Sequence, residues 1–100
     1  MPVEPRPASS VLVLRDGDDG IEILFVQRSM SLKFMGGAWV FPGGTLHADD
    51  GDPEDDLAWK TAGARETYEE ARIKLPDPAA LVPFSRWITP EMAPMRFDTR

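Results

Sequence analysis

The sequence predicts one small α/β domain. Two segments rich in Val, Ile and Leu (11–15 and 21–28), a helical pattern from about 52 to 72, and a further apolar segment at 80–88 carry this prediction. The 100 residues, 42% of them hydrophobic, allow a single packed core. A domain of this length buries only roughly 60–70% of the surface that its unfolded chain exposes. We therefore expect marginal stability, and the chain has no cysteine with which to form a disulfide.

The N-terminal part is predicted to be a flexible leader followed by a β-hairpin. Residues 1–8 contain three prolines and little that could pack, so the folded domain is predicted to span 9–100. The two apolar segments flank the turn-forming sequence DGDDG, which predicts a hairpin. The second strand is mostly apolar on both faces, so we expect it to be covered on both sides. A loop with an exposed Lys33 follows at 29–38.

A short strand at 39–41 is ended by Pro42, and the long helix comes next. Asp52 is the N-cap candidate, because Pro53 and acidic residues follow it. The helix is predicted to run to about Arg72. Residues at spacings of three and four predict its packing stripe: Leu57, Thr61, Ala64, Tyr68 and Ala71. A strand is predicted at 80–88, and another begins at 95–100, where the sequence stops.

Composition excludes several classes of partner. The formal net charge of −6 argues against a nucleic-acid partner bound through a basic patch. No apolar segment approaches the ~20 residues of a membrane span, and the first ten residues lack the regions of a signal peptide. The missing cysteines fit a reducing compartment, so we expect a cytoplasmic protein with no membrane partner. An acidic site can still hold a phosphate compound when a divalent cation lies between the two.

A cluster of carboxylates on the helix is the main functional feature. At about 100° per residue, Glu66, Glu69 and Glu70 share one face, opposite the predicted packing stripe. In a bare helix their i,i+3 and i,i+4 pairs repel by about 0.2–0.5 kcal/mol. A hard cation such as Mg²⁺ would remove that repulsion. Taken alone, the pattern favours a solvated acidic face, because glutamate is common on exposed helices.

The sequence FPGG lies just upstream of these carboxylates, at 41–44. It predicts a backbone turn in which Gly43 and Gly44 bring carbonyl or amide groups close to a ligand. Any Pro-Gly pair can also give an ordinary type II turn. The turn and the carboxylates together are far more specific than either feature alone.

This combination resembles the signature of the Nudix hydrolases, G-x5-E-x7-R-E-U-x-E-E-x-G-U, where U is a bulky aliphatic residue. Gly44 opens it and RETYEEARI closes it. Asp50 occupies the position of the first glutamate in the signature, but fourteen rather than seven residues separate it from Arg65. Whether Asp50 works there stays open. Thr67 replaces an aliphatic residue and Arg72 a glycine. If Arg72 adopts the left-handed conformation that ends such helices, the cost is about 1 kcal/mol.

The resemblance implies an α/β/α sandwich around a mixed sheet and hydrolysis of a diphosphate by water. It implies Mg²⁺ or Mn²⁺ held by Glu66, Glu69, Glu70 and the Gly43 carbonyl, an ion that neutralises oxygen charge and lowers the pKa of water. Arg65 would orient a carboxylate, and Glu66 is our candidate for the general base.

The sandwich is expected to be incomplete at the C-terminus, because no helix follows the last strand. We therefore expect the chain to be a portion of a longer protein. Apolar sheet surface near Phe97 would then be exposed or covered by another chain, as in a homodimer.

A longer resemblance narrows the substrate. Residues 24–44 resemble the coenzyme A diphosphatase pattern L-L-T-x-R-S-x3-R-x3-G-x3-F-P-G-G. Within them, the stretch FMGGAWVF also resembles the peroxisomal branch of coenzyme A diphosphatases. Arg28 and Lys33 stand at the basic positions of the pattern and Gly44 at its end, and these three would bind substrate. Lys33 in place of arginine keeps the charge and loses the bidentate fork. The implied substrate is coenzyme A or acyl-coenzyme A, cut to 3′,5′-ADP and 4′-phosphopantetheine.

Other interpretations stay open. The same fold could hydrolyse ADP-ribose or nucleotide sugars, or could bind a nucleotide as a sensing module without turnover. Asp50 and Arg72 leave room for the sensing module. The acidic surface with Trp39, Trp59 and Trp87 could mark an interaction domain, although scattered tryptophans more often belong to a core. Turnover that requires Mg²⁺ would distinguish the enzyme from a sensor.

Overall fold

The computed structural model describes residues 3–33 and 35–100. Met1 and Pro2 of the predicted leader and Phe34 of the predicted loop lie outside these residues. One α-helix, α1, spans Asp56–Ala71, and 3₁₀ helices span Ala48–Asp50 and Pro78–Ala80. The strands are β1 Arg6–Ser10, β2 Leu14–Gly17, β3 Gly20–Ile23, β4 Val26–Gln27, β5 Trp39–Val40, β6 Gly43–Thr45, β7 Trp87–Ile88 and β8 Phe97–Thr99.

The main sheet is mixed, with strand order β6-β1-β8-β7. Strand β1 pairs antiparallel with β6, placing Ser9 opposite Gly44, and parallel with β8, placing Pro7 opposite Asp98. Strand β7 pairs antiparallel with β8. Helix α1 packs on β1 and β6. The predicted α/β class is therefore confirmed, with a mixed sheet that carries the helix.

The predicted leader and domain boundary differ from the structure at β1. Residues 6–8 were assigned to the leader, yet they begin a strand inside the main sheet. Pro7 is tolerated there because the sheet uses its carbonyl, which accepts from the Leu46 N–H at 3.0 Å. Ala8 is buried at 6% exposure. The proline content predicted a flexible segment. The segment is a strand instead, because it pairs with residues far along the chain.

The predicted hairpin is confirmed, with Arg15 opposite Glu22 in the β2–β3 pair. Its strands are shorter than predicted, and the 21–28 segment is divided between β3 and β4. The expected coverage of both faces is wrong for β3, which is exposed throughout, Ile21 at 70%. The reason is that β2 and β3 form a separate two-stranded sheet.

The FPGG segment does not form the predicted turn, because Gly43–Thr45 is strand β6. Neither Gly43 nor Gly44 has the positive φ that a type II turn requires. Their missing side chains instead permit close approach. A Cβ on Gly43 would collide with the Ser9 carbonyl oxygen, and one on Gly44 would lie 2.7 Å from the Glu66 carboxylate.

Helix α1 begins later than predicted. Its N-cap is Asp55, whose side chain accepts from the Leu57 N–H at 3.0 Å. The predicted N-cap, Asp52, forms a local turn instead and accepts from the Glu54 N–H at 2.9 Å. Both aspartates have suitable capping chemistry, and the helix begins after the later one.

The helix ends as the resemblance implied. Arg72 is left-handed, with φ 59° and ψ 25°, and its N–H donates to the Tyr68 carbonyl at 2.9 Å. The Arg72 guanidinium lies 5.6 Å from the centre of the Tyr68 ring. A non-glycine residue therefore closes this helix in spite of its conformational cost.

The predicted packing stripe of the helix is wrong. Leu57 and Tyr68 are 48% and 49% exposed. The helix packs through a face of mostly small side chains, which lets its backbone approach β1 closely. The close approach is seen in the hydrogen bond that the Ser9 hydroxyl donates to the Trp59 carbonyl at 2.6 Å. The buried helix residues are Ala58, Trp59, Ala62, Gly63 and Thr67. Apolar spacing did not identify this face, because alanine, glycine and threonine carry little hydrophobic signal.

The C-terminal strands agree only in part with the prediction. Of the strand predicted at 80–88, only β7 forms, and a 3₁₀ helix capped by Asp77 precedes it. Pro83 provides a reason, because it removes a donor from the ladder. Strand β8 confirms the predicted last strand.

The three tryptophans have different roles. Trp59 is buried, its indole N–H donates to the Pro53 carbonyl at 2.8 Å, and the Arg100 guanidinium lies 3.9 Å from its ring centre. Trp39 and Trp87 are 64% and 74% exposed. The expectation that tryptophans belong to the core holds only for Trp59.

Among the described residues, the helices lack the combined length and apolar content that crossing a membrane requires.

Gly63→Ala tests the close packing of the helix on β1. The new Cβ would lie 2.8 Å from Val11 Cγ2, so we expect a loss of about 1–3 kcal/mol in the free energy of unfolding. In a Val11→Ala background that methyl group is gone. The same glycine substitution should then gain up to about 1 kcal/mol of helix propensity. Urea unfolding measures both effects, and a stabilising Gly63→Ala in the wild-type background would contradict the packing.

Candidate active site

Strand β6 lies at the edge of the main sheet, beside helix α1. Hydrogen bonding alternates along an antiparallel strand, so every second residue of 42–46 bonds to β1, as the Leu46 N–H does to the Pro7 carbonyl. Gly43 and Thr45 therefore direct their backbone groups to the open edge. Side chains of the helix meet them there.

Arg65 is the centre of a charged network on this edge. Its Nε and Nη2 donate to the two carboxylate oxygens of Asp50 at 3.0 and 2.9 Å. Nη1 donates to Glu66 Oε1 at 2.9 Å and reaches Glu69 at 3.3 Å. Nη2 also donates to the Thr45 carbonyl at 3.2 Å. One guanidinium thus joins β6, the Ala48–Asp50 helix and α1.

Asp50 reaches Arg65 in spite of the long spacing between them. It ends a 3₁₀ helix, and its Oδ2 accepts from the His47 N–H at 2.7 Å. Its side chain is 3% exposed. The hydrogen bonds from Arg65, which favour the charged form, hold the pKa of Asp50 below its usual value. Residues 51–55 absorb the additional length before α1 begins.

Glu66 and Glu70 form a second carboxylate pair. Partial desolvation, together with a hydrogen bond to the neighbouring Glu66 carboxyl, raises the pKa of Glu70 to about 7. The Gly43 amide and the positive charge of Arg28 act in the opposite direction. Glu66 is only 14% exposed and fits against Gly44. Two carboxylates, an amide and a guanidinium therefore meet at the β6 edge.

The three glutamates predicted to bind a metal do not share one exposed face. Glu66 is turned towards the sheet, whereas the Glu69 side chain is 53% exposed and pairs with Arg65. Across residues 3–33 and 35–100, no three His, Cys, Asp or Glu side chains converge closely enough to hold a metal ion. The difference follows from the packing face of α1, which lies next to Glu66.

Two cavities adjoin the carboxylate pair. One of about 290 Å³ lies beside Glu70, and another of about 300 Å³ lies over the main sheet. They share Arg28, Val40 and Gly43. Besides these, the first is lined by Val26, Gln27, Ser29, Leu32 and Glu70, and the second includes Ser10, Phe41, Gly44, Phe97 and Thr99.

The two basic residues predicted to bind the substrate lie in different places. Arg28 lines both cavities, and its Nε is buried with no hydrogen-bond partner in the described part of the chain. Lys33 is exposed and lines neither cavity. From their spacing in the sequence, the two residues had been predicted to have the same role in substrate binding.

Two contributors to the site were not predicted. Thr45 takes part through its carbonyl oxygen, and His47 through its backbone N–H. Almost any residue type can supply a backbone carbonyl or N–H, so the residue type does not show that such a group contributes to a site. The alternation of hydrogen bonds in β6 would have identified Thr45, had FPGG been assigned to a strand.

Comparison with known proteins agrees with this architecture. The NUDIX domain profile matches residues 4–99. A solved NUDIX hydrolase from Alicyclobacillus acidocaldarius superposes with a TM-score of 0.74 and 26% identity, covering 97% of this chain and 68% of that one. No protein of curated function matches the sequence. The profile match includes the carboxylate helix and the β6 edge, and the chain therefore belongs to the Nudix family and is a Nudix hydrolase.

Proposed function

We propose that this Nudix hydrolase is a metal-dependent diphosphatase of coenzyme A or acyl-coenzyme A, giving 3′,5′-ADP and 4′-phosphopantetheine or its acyl form. One observation carries the proposal: Arg28 lines the same cavity as Glu70 and Gly43. A guanidinium suited to phosphate thus lies beside oxygen ligands suited to a cation. The Nudix family acts on small nucleotide derivatives. The spacing of Arg28, Lys33 and FPGG favours coenzyme A among them.

The oxygen groups at the β6 edge fit a divalent cation. Nudix hydrolases generally use such ions. Partial desolvation and the neighbouring Glu66 carboxyl raise the pKa of Glu70, which lies at this edge, and the Gly43 carbonyl faces the same edge. Mg²⁺ is usually bound by one or two carboxylates together with water and substrate phosphates, so Glu66, Glu70 and Gly43 would suffice, with Glu69 as a further ligand. Mn²⁺ favours the same ligands.

When bound, the ion would neutralise phosphate charge and make water more acidic. Hydrolysis then requires water to attack one phosphorus while the P–O bond to the bridging oxygen breaks. Glu66 is our candidate to take the proton of that water. Asp50 is a positioning residue, because it fixes Arg65, and Arg65 in turn holds Glu66 Oε1.

Hydrolysis of ADP-ribose or nucleotide sugars is the second candidate function. The position of Lys33 favours this second function, because Lys33 is exposed and lies outside both cavities. Lys33 was the residue predicted to bind the 3′-phosphate that coenzyme A has and ADP-ribose lacks. Nucleotide binding without Mg²⁺-dependent turnover would instead indicate a sensing module. Incubation of a panel of diphosphates with Mg²⁺, read by mass spectrometry, distinguishes the three.

Glu70→Gln tests the carboxylate pair. We expect it to keep the fold and to lower Mg²⁺-dependent kcat on the order of 100-fold or more, because one oxygen ligand is lost.

An acid whose pKa rises on folding destabilises the folded state as pH rises through that pKa, here about 7. The variant should therefore unfold at the same or a higher temperature at pH 8 without metal. Glu54→Gln, outside the site, is the control, and unchanged turnover in Glu70→Gln would exclude the pair as the metal site.

Asp50→Asn tests the positioning role. We expect a loss of about 1–3 kcal/mol in the free energy of unfolding at pH 7, together with a lower kcat. Folding lowers the pKa of Asp50, so its contribution is present above the usual value of 3.8 and is lost as pH falls below it. The difference from wild type should shrink in acid. Asp49→Asn, at the exposed neighbour, should change neither quantity; a kcat in Asp50→Asn equal to wild type would refute the role.

Lys33→Ala tests the substrate. Loss of one partly exposed charged contact should lower kcat/KM for coenzyme A about 5- to 30-fold and barely affect 3′-dephospho-coenzyme A. Lys74→Ala removes the same charge elsewhere on the surface and serves as the control. Equal losses on the two substrates would remove the phosphate-reading role of Lys33. A wild-type preference for the dephosphorylated compound would remove the coenzyme A assignment itself.

A further inference from the structure

The main sheet has two edge strands, β6 and β7. At β6, the Thr45 carbonyl accepts a hydrogen bond from Arg65. The Gly43 N–H of the same strand bonds to the Glu70 carboxylate. An edge strand whose outward backbone groups are already bonded is a poor template for another strand. Strand β7 is therefore the edge of this sheet at which another strand can add.

Strand β7 presents backbone groups at its outer side. The residue after it, Thr89, donates its N–H to the Phe97 carbonyl at 2.9 Å and so bonds to β8. Bonding alternates along an antiparallel strand, which directs the N–H and the carbonyl of Ile88 away from β8. A proline on either side limits pairing to residues 84–89.

The side chains on and beside β7 are apolar and exposed. Val82 and Phe84 are 83% and 84% exposed. Trp87 and Ile88 are 74% and 50% exposed. A large aromatic side chain can bury about 150–250 Å², so these four residues offer on the order of 500 Å² per copy. Two copies would bury about 1,000 Å² together, which reaches the lower limit of a specific interface.

The charges at this edge favour a second copy over a charged partner. Arg86 is the only charged residue in 80–89. Its Nε and Nη2 donate to the two carboxylate oxygens of Asp98 at 2.8 and 2.6 Å. A strongly basic or acidic peptide would find no free countercharge in this segment. A copy of the same apolar segment meets no uncompensated charge there, although the chain as a whole carries a net charge of −6.

We propose that β7 is a self-association surface, at which two copies of this chain pair antiparallel about a twofold axis. Such an axis brings the same residues of both copies together, so one apolar segment provides both sides of the interface. The two four-stranded sheets become one sheet with β6 at each outer edge. Arg65 and Glu70 bond to those edges, so assembly stops at two copies. Self-association at β7 is independent of which diphosphate the protein cleaves.

Sedimentation velocity over a range of protein concentrations tests the proposal. The small interface predicts a reversible dimer with a micromolar Kd. Trp87→Lys and Phe84→Lys should each raise that Kd about 10-fold or more, because an apolar contact is lost and like charges meet across the axis. Ile21→Lys makes the same change at a 70% exposed position in strand β3 and should dimerise as wild type does.

Hydrogen exchange provides the second arm. The Ile88 amide should exchange more slowly at high protein concentration than at low, because in the dimer it donates to the other copy. Exchange in the β2–β3 hairpin should not depend on concentration. If circular dichroism shows that Trp87→Lys is unfolded, Phe84→Lys and the Ile88 amide decide the question.

Three results would overturn the proposal. The first is a chain that stays monomeric at every concentration. The second is a dimer that the folded β7 variants leave intact, or that Ile21→Lys disrupts. The third is growth beyond two copies, which the bonded β6 edges do not allow.

Discussion

The bidentate ion pair between Arg65 and Asp50 holds the candidate site together. Its two bonds, at 3.0 and 2.9 Å, fix the guanidinium plane and leave Nη1 directed at Glu66. The same guanidinium also bonds to the Thr45 carbonyl, so the sheet edge, a 3₁₀ helix and the long helix meet at one side chain. In an acidic chain this pair, shielded from solvent, lets several carboxylates lie close together without unfolding the region.

The two arginines of the candidate site differ in how their hydrogen-bond donors are used. Arg65 uses its donors on Asp50, Glu66 and the backbone, which leaves little for a substrate. Arg28 lines two cavities, and its buried Nε has no hydrogen-bond partner within residues 3–33 and 35–100. A chain with a net charge of −6 can hold a polyphosphate only where cations are placed, and Arg28 is placed next to the carboxylates.

Local signals were sufficient for some elements and not for others. The β2–β3 hairpin and the left-handed end at Arg72 follow from turn residues and a motif, so the sequence predicts both. Strands β1 and β6 depend on partners tens of residues away, and proline or glycine content therefore misassigned both. The helix packs through small side chains such as Gly63, which carry no apolar period. The contact between Asp50 and Arg65 depends on how residues 51–55 fold, which a linear spacing cannot show.

Strand β6 is an edge strand, and edge strands expose backbone groups that can pair with another molecule. Here the Thr45 carbonyl accepts a hydrogen bond from Arg65 and the Gly43 N–H bonds to Glu70, two side chains of the candidate site. A second molecule that pairs with this edge would have to displace these two contacts. A substitution that removes Arg65 or Glu70 would therefore alter the candidate site and, at the same time, expose backbone groups that favour intermolecular strand pairing.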